Sequence, residues 1–188
     1  TIAITVKRVL STSPDSPPGL VSNWLHDHFE VGQTLEAVGS ARGNFSCVPT
    51  LPSKLLFIAA GSGITPMISM LRWMFDAPAQ LDIVLIYSCK TPTDIIYRQE
   101  LELLASQLPN FRLVVTVTRS RSGLPWMGFT GRVSQALLQQ VVPDLMERST
   151  FVCGSESFMT SIKQILEAMQ FPMEQYFEES FGGRPTRE

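Results

Sequence analysis

Three places in the sequence put chemically able side chains at the end of an apolar run. The first is Gly61-Ser62-Gly63-Ile64-Thr65-Pro66, which follows Leu55-Leu56-Phe57-Ile58-Ala59-Ala60 and precedes a second apolar run from Met67 to Phe75. Two glycines let the backbone turn tightly and leave room beside it. Thr65 is expected as a helix N-cap and Pro66 as the first helical residue. A strand, a Gly turn and a new helix N-terminus present unpaired N–H groups and a partial positive charge, which suit a diphosphate. The alternative is a tight turn that holds no ligand. The second place is Cys153-Gly154-Ser155, after Thr150-Phe151-Val152. A thiol between a buried strand and a helix N-terminus is in a setting that lowers its pKa; the alternative is a small apolar core residue. The third is Glu178-Glu179-Ser180-Phe181, where the two carboxylates alternate, so that one faces the cleft and the other does not.

Other chemistries lack their residues. Around Ser62 the glycines are immediate neighbours, whereas a hydrolase elbow needs G-x-S-x-G. No Walker lysine follows the Gly turn, and Pro66 stands where G-x-G-x-x-G would place its third glycine. An acidic partner for an adenosine ribose is missing after the second strand; Lys90, Arg119 and Arg121 lie there or nearby instead. Such cations suit a 2′-phosphate, and equally suit solvated loop positions. His26 and His28 are two apart and share no helix face, so no metal pair is expected. Cys47, Cys89 and Cys153 are far apart with no C-x-x-C spacing, which argues against an iron–sulfur or zinc site within this chain; an odd count suits a reducing, cytoplasmic compartment. A net charge of -2 argues against nucleic acid as a partner. No apolar run is long enough to cross a bilayer, and neither a membrane span nor a secretory signal is expected.

The elements that must carry these residues follow from hydrophobic pattern. Thr1 to Val9 alternates, as a half-exposed antiparallel strand does. A short helix is expected after Gly19, a further strand over Thr34 to Val38, and a Gly-punctuated loop from Gly39 to Phe45. From Lys54 onward buried strands alternate with helices. Strands are expected at Leu55–Ala60, Ile83–Ser88, Phe111–Thr118, Thr150–Gly154 and Glu174–Ser180, and helices at Thr93–Leu108, after Ser134, and at Ser155–Met169. Arg119 to Arg132 reads as a Gly-, Pro- and Arg-rich loop. The pattern predicts an α/β fold, a five-stranded parallel sheet with helices on both faces, preceded by a region of antiparallel character. With 188 residues and 44% hydrophobic content, one large or two small domains with a proper core are expected. In an open parallel sheet, ligands bind beyond the carboxyl ends of the strands. The three places above all lie at that edge.

With these motifs in order, the chain resembles the ferredoxin–NADP reductase superfamily, in particular NAD(P)H-dependent flavin reductases of the three-domain type that feed a C-terminal [2Fe-2S] ferredoxin domain. Gly61-Ser62-Gly63-Ile64-Thr65-Pro66 resembles its G-x-G-[IV]-[TA]-P nucleotide loop. Val152-Cys153-Gly154 with Phe158-Met159 is similar to its C-G-x-x-x-[FM]-M segment, and Glu179-Ser180-Phe181 to its E-x-F ending. Gly19-Leu20-Val21-Ser22 resembles its G-x-x-S flavin-diphosphate helix. Gly39 to Phe45 is similar to the G-P-x-G-x-F loop, with Ser40 in place of Pro.

The resemblance implies NADH or NADPH with its diphosphate at Gly61 to Pro66 and its adenosine ribose near Thr118 and Arg119. It implies Cys153 against the nicotinamide, Thr65 near its ribose and carboxamide, and Glu179 and Phe181 where nicotinamide meets FAD. Gly154, Phe158 and Met159 complete the cofactor-binding set, and Gly19, Val21 and Ser22 belong to FAD. Hydride passes to the flavin, and single electrons go on to an iron–sulfur acceptor in the same polypeptide or a partner protein. The R-x-[YF]-[ST]-x-x-[ST] flavin motif does not occur, nor does a C-x4-C-x2-C cluster. The expectation is therefore a fragment, inactive alone and apt to lose FAD. Residues 1–50 are then the C-terminal part of an FAD-binding β-barrel domain, 51–181 the NAD(P)-binding domain and 182–188 a linker. A non-catalytic nucleotide-binding regulatory module is the alternative.

Overall fold

The computed structural model describes residues 2–11, 13, 15–36, 43–48, 51–76, 81–119 and 125–181. It divides into two compact units, Thr1–Asn44 and Phe45–Glu188.

In the first unit a helix, α1, runs over Leu20–His28 and buries none of its residues. The alternating segment before it forms no β-ladder. Its backbone groups find other partners: the Val9 carbonyl accepts from the Gly19 N–H at 3.0 Å and from Asn23 Nδ2 at 2.9 Å, and the Val9 N–H donates to Ser22 Oγ at 3.2 Å. An alternating pattern becomes a strand only where a second segment pairs with it. Residues 34–36 of the strand expected over Thr34 to Val38 likewise form no strand; residues 37–38 of it and 39–42 of the Gly39 to Phe45 loop lie outside the described residues.

The second unit is the α/β layer structure the pattern demands. Its strands are β1 (Lys54–Ala60), β2 (Asp82–Cys89), β3 (Phe111–Val117), β4 (Phe129–Thr130), β5 (Ser149–Gly154) and β6 (Tyr176–Ser180). They form one six-stranded sheet in the order β4-β3-β2-β1-β5-β6, and every pairing is parallel. The sixth strand, β4, is a two-residue pairing onto β3 inside the expected Arg119 to Arg132 loop, too short to carry any periodicity. The helices are α2 (Ile64–Asp76), α3 (Arg98–Gln107), α4 (Gln135–Val141) and α5 (Glu156–Ala168). Side chains alternate along β1. Leu55, Phe57 and Ala59 join the core with α2 and α3, while Leu56 and Ile58 join the core with α4 and α5. That two-sided burial is why β1 reads as an unbroken apolar run.

The helix starts of α4 and α5 follow the sequence and that of α3 departs from it. Ser134 and Ser155 accept from the Leu137 and Phe158 amides and start α4 and α5 as expected. The helix expected from Thr93 starts only at Arg98. Tyr97 adopts a left-handed backbone at φ 58°, which ends the preceding turn and makes it the N-cap residue of α3.

At the amino ends of the strands a buried cation ties three of them together. Arg148, 1% exposed, donates to the Leu55 and Asp82 carbonyls at 3.1 Å each, pairs with Asp82 Oδ1 at 2.9 Å, and forks onto Asp144 at 2.7 and 3.0 Å. Lys54 adds a second cation on Asp144 at 2.9 Å. The Arg148 hydrogen bond is the main cause that holds the Asp144 carboxyl at about 2 rather than its ordinary 3.8. Nearby, Met74, Leu81, Leu108 and Phe111 line an apolar groove of about 190 Å³.

The depressed carboxyl means that Asp144 stabilises the fold fully above its unfolded value and loses that contribution as pH falls toward and through about 2. Asp144→Asn should therefore cost about 2 kcal/mol in urea denaturation at pH 6 and less than about 0.5 kcal/mol near pH 2. Arg148→Met, which removes the two-pronged partner of Asp144 and the side-chain donor to two carbonyls while Lys54 remains on Asp144, should cost about 3 kcal/mol at neutral pH.

Candidate active site at the carboxyl edge of the sheet

The strand order reverses between β1 and β5, so the crevice of an open sheet falls beyond the ends of those two strands. Gly61 follows β1 with φ at +54°, a left-handed conformation that glycine adopts freely. Gly61–Gly63 form a 3₁₀ turn that runs directly into α2 at Ile64. The helix is thus already under way before Thr65, which is not its N-cap, and Pro66 is its third residue. Pro66 has no N–H to give the Ser62 carbonyl four residues back. Thr65 Oγ1 donates to that carbonyl instead, at 3.0 Å. With its proton committed there, the hydroxyl can only accept from a ligand.

Gly63 is where the turn meets the neighbouring strand. A Cβ added at Gly63 would stand 2.2 Å from the Cys153 carbonyl oxygen and 2.8 Å from the Gly154 nitrogen. The space that glycine leaves is filled by backbone of β5. Gly61, Ser62, Thr65 and Pro66 are half-buried, while Gly63 and Ile64 are buried. The Ile64 N–H turns back onto the Gly61 and Ser62 carbonyls, so the amides that lack a partner within this helical segment are those of its first residues, Gly61 to Gly63.

Cys153 pairs in register with Ala59 on one side and Glu179 on the other, and is 0% exposed. Burial, with the Glu179 charge as a lesser cause, pushes its thiol up to about 12. The expectation of a lowered pKa is thus overturned. The helix N-terminus is present beside it, but removal from water outweighs it, and the thiol is neutral. Cys153 packs as a core residue with Ala59 and Ile64. Gly154 is buried, and a Cβ there would meet the Phe158 ring at 2.7 Å and the Ala60 Cβ at 3.1 Å. Phe158 is half-buried in the first turn of α5, and Met159 lies in the opposite core cluster with Val152 and Ile162.

Glu179 is half-buried on β6, and Phe181 just beyond it is 56% exposed. Tyr176 Oη donates to Glu178 at 2.7 Å, so of the two carboxylates it is Glu179 that sits in register with Cys153. On the other side of the edge, the Thr118 N–H donates to the Cys89 carbonyl at 3.0 Å and the Arg119 N–H to the Lys90 carbonyl at 2.8 Å. These bonds continue the β2–β3 ladder past its end and bring Lys90 and Arg119 side by side. Both are exposed, and neither has an ion-pair partner among the described residues. Arg121 lies outside the described residues. In the first unit, Gly19 precedes α1, Val21 is exposed, and Ser22 Oγ donates to the Gly19 carbonyl at 3.2 Å.

The structure thus brings Gly61–Pro66, Cys153, Gly154, Phe158, Glu179, Phe181, Thr118 and Arg119 to one edge of the second unit, with Met159 behind it in the core. Sequence reasoning missed Tyr87, whose buried hydroxyl donates to the Gly61 carbonyl at 2.9 Å. An aromatic in a buried strand reads as packing alone; only the polar tip could have hinted at more. No group of three or more potential metal ligands occurs among the described residues.

Comparison with known proteins gives concordant results. The family model for the oxidoreductase NAD-binding domain matches residues 57–164. The glycine betaine monooxygenase reductase subunit of Chromohalobacter salexigens is 43% identical over 98% of this chain and 48% of its own length. The stachydrine N-demethylase reductase subunit of Rhizobium meliloti is 34% identical over 94% of this chain and 53% of its own length. The chain spans about half the length of these curated relatives. Among solved structures, the FAD/NAD-binding domain of a Vibrio cholerae nitric oxide dioxygenase superposes with a TM-score of 0.68 at 21% identity, covering 88% of this chain and 66% of that one. It shares the fold.

Two outcomes follow from this geometry. Gly63→Ala, which drives a methyl into rigid backbone, should cost about 3 kcal/mol in denaturant titration, whereas Gly154→Ala, which first meets a rotatable ring, should cost about 1 kcal/mol. In the native protein at pH 8, iodoacetamide should label Cys153 at least about a hundredfold more slowly than in urea, as read by mass spectrometry of the Cys153 peptide.

Proposed function

This chain belongs to the oxidoreductase NAD-binding domain family, within the ferredoxin–NADP reductase superfamily, and from that premise we propose that its sheet edge holds NADH or NADPH for an FAD-dependent electron-transfer reductase. The observation that carries the reading is the turn at Gly61–Gly63, left-handed at its first residue and packed on Cys153–Gly154 at the switch in strand order. A diphosphate suits this turn, because a strand that passes through a Gly turn into a new helical segment presents amide dipoles at that segment's N-terminus.

Within this reading each residue has a physical task. The backbone of Gly61 to Ile64 binds the diphosphate. Thr65 Oγ1 accepts a hydrogen bond from the nicotinamide ribose or carboxamide. Cys153 forms a neutral, apolar wall, since a thiol held near 12 neither takes nor gives a proton at neutral pH. Glu179 and Phe181 border the place where the nicotinamide and the flavin stack. Gly154, Phe158 and Met159 hold α5 against the strand. Thr118 orients the adenosine ribose. Lys90 and Arg119 meet a 2′-phosphate, which relieves the repulsion between two adjacent unpaired cations and favours NADPH. In the first unit, Gly19, Val21 and Ser22 open a helix whose first amides suit the FAD diphosphate. Bound, these cofactors supply hydride transfer and its splitting into single electrons; the protein supplies alignment and exclusion of water.

The relatives are named as reductase subunits of a monooxygenase and a demethylase. By extension, the acceptor here is an iron–sulfur centre in the same polypeptide or in an oxygenase-type partner. The three free thiols support a cytoplasmic setting, and no helix among the described residues is long and apolar enough to cross a membrane. A non-catalytic nucleotide-binding module is the second reading, favoured by the 0% exposure of Cys153.

Calorimetric titration of the intact chain should give saturable binding of NADH or NADPH; no uptake of either would overturn the reading. Arg119→Ala should raise the NADPH Kd about tenfold and the NADH Kd less than about threefold, and equal losses would remove the 2′-phosphate contact. In the full-length flavoprotein, Cys153→Ala should slow flavin reduction about tenfold or more in stopped flow while sparing nucleotide affinity. An unchanged rate would favour the regulatory module.

A further inference from the structure

Tyr87 brings a polar group into one of the driest parts of the second unit. It is 0% exposed, on the face of β2 packed by α2 and α3. Its hydroxyl donates to the Gly61 carbonyl at 2.9 Å and accepts from the Ile96 N–H at 3.3 Å. Burial pushes its ionisation well above the ordinary phenol range, so it stays a donor. Both ends of this bridge are places where the backbone departs from regular structure. Gly61 is left-handed at φ +54°, and Ile96 precedes Tyr97, left-handed at φ 58°.

The connector that carries Ile96 is itself ordered. Thr91 and Asp94 form a capping box, with Asp94 Oδ2 accepting from the Thr91 N–H at 3.0 Å and its hydroxyl at 2.7 Å. Beyond it, Arg72 of α2 lies 5.2 Å from the Tyr97 ring centroid and pairs with Glu100 of α3 at 2.6 Å. The Gly61 turn and the connector after β2 are the two walls that flank the carboxyl end of β2, and one buried hydroxyl spans them.

We propose that Tyr87 is a positioning residue for dinucleotide binding, its hydroxyl fixing the Gly61 turn against the Thr91–Tyr97 connector so that the diphosphate amides are aligned before the ligand arrives. The proposal rests on the nucleotide site proposed above and adds a residue that touches no ligand. Preorganisation of this kind lowers the ordering cost of binding; loss of the hydroxyl would leave the Gly61 carbonyl with the Ile64 N–H as its remaining donor and take from the Ile96 amide the acceptor it has here.

The test uses the intact chain, calorimetry with NADH and with ADP, and amide hydrogen exchange. Tyr87→Phe keeps the ring and should raise both dissociation constants about tenfold. Saturating NADH should slow exchange at Ile96 in the wild type and not in Tyr87→Phe. Asp94→Ala, which loosens the connector from its partly exposed side, should raise the NADH Kd about threefold. The double variant should be no weaker than Tyr87→Phe alone, because both act through one bridge. A Tyr87→Phe protein that melts earlier but binds NADH as the wild type does would overturn the proposal, as would additive losses in the double variant. Should Tyr87→Phe not fold, an unchanged Kd in Asp94→Ala overturns it by itself. A folded wild type that takes up no nucleotide would instead sink the nucleotide site, and this inference with it.

Discussion

The contact between the Gly63 backbone and the Cys153–Gly154 backbone sets the arrangement of the carboxyl edge of the sheet. No side chain can stand between them, since even a methyl at Gly63 would reach within 2.2 Å of a carbonyl oxygen. The turn after β1 is thereby pressed onto the end of β5, the pair of strands between which the sheet order reverses. A helix start, a buried thiol and the carboxylate of Glu179 are brought together as a consequence. None of these groups needs a long side chain to reach the others, because backbone packing has already placed them.

The unit is built with polar tethers at both ends of a dry sheet. At the amino ends, Arg148 binds carbonyls of β1 and β2 and the carboxylates of Asp82 and Asp144. At the carboxyl ends, Tyr87 holds the Gly61 turn. Between them, the middle of β1 from Leu55 to Ala59 is fully buried on both faces. A buried cation is weak evidence of added stability, because its desolvation opposes its pairing. Its five polar contacts to three chain segments are better read as fixing the register of β1, β2 and β5. The carboxyl edge can then spend its own backbone groups on a ligand.

Much of this was legible in the sequence where burial alone decides structure. The runs Leu55–Ala60 and Ile83–Ser88 announced strands buried on both sides, and Ser134 and Ser155 announced helix starts by their own side-chain chemistry. Legibility failed where a partner decides. The alternating first residues that are described gave no strand, since no second segment pairs with them; at Val9 the backbone bonds to Ser22, Asn23 and Gly19 instead. Thr65 and Pro66 resembled a helix cap, yet the 3₁₀ turn had already begun at Gly61. The helix N-terminus beside Cys153 was visible in the sequence; the burial that dominates its thiol was not. Arg148, read alone, is simply a charge before a strand, and Tyr87 simply an aromatic within one.

The functional reading depends on one assertion: ligand binds at the carboxyl edge, on the backbone of the turn after β1. A titration followed by ¹⁵N NMR tests it most directly. On adding NADH to the intact chain, the largest amide shift changes should fall at Gly61 to Thr65 and at Gly154 and Ser155, saturating together. Changes confined to the amino-end groove around Met74, Leu108 and Phe111, or none at all in a folded sample, would contradict it.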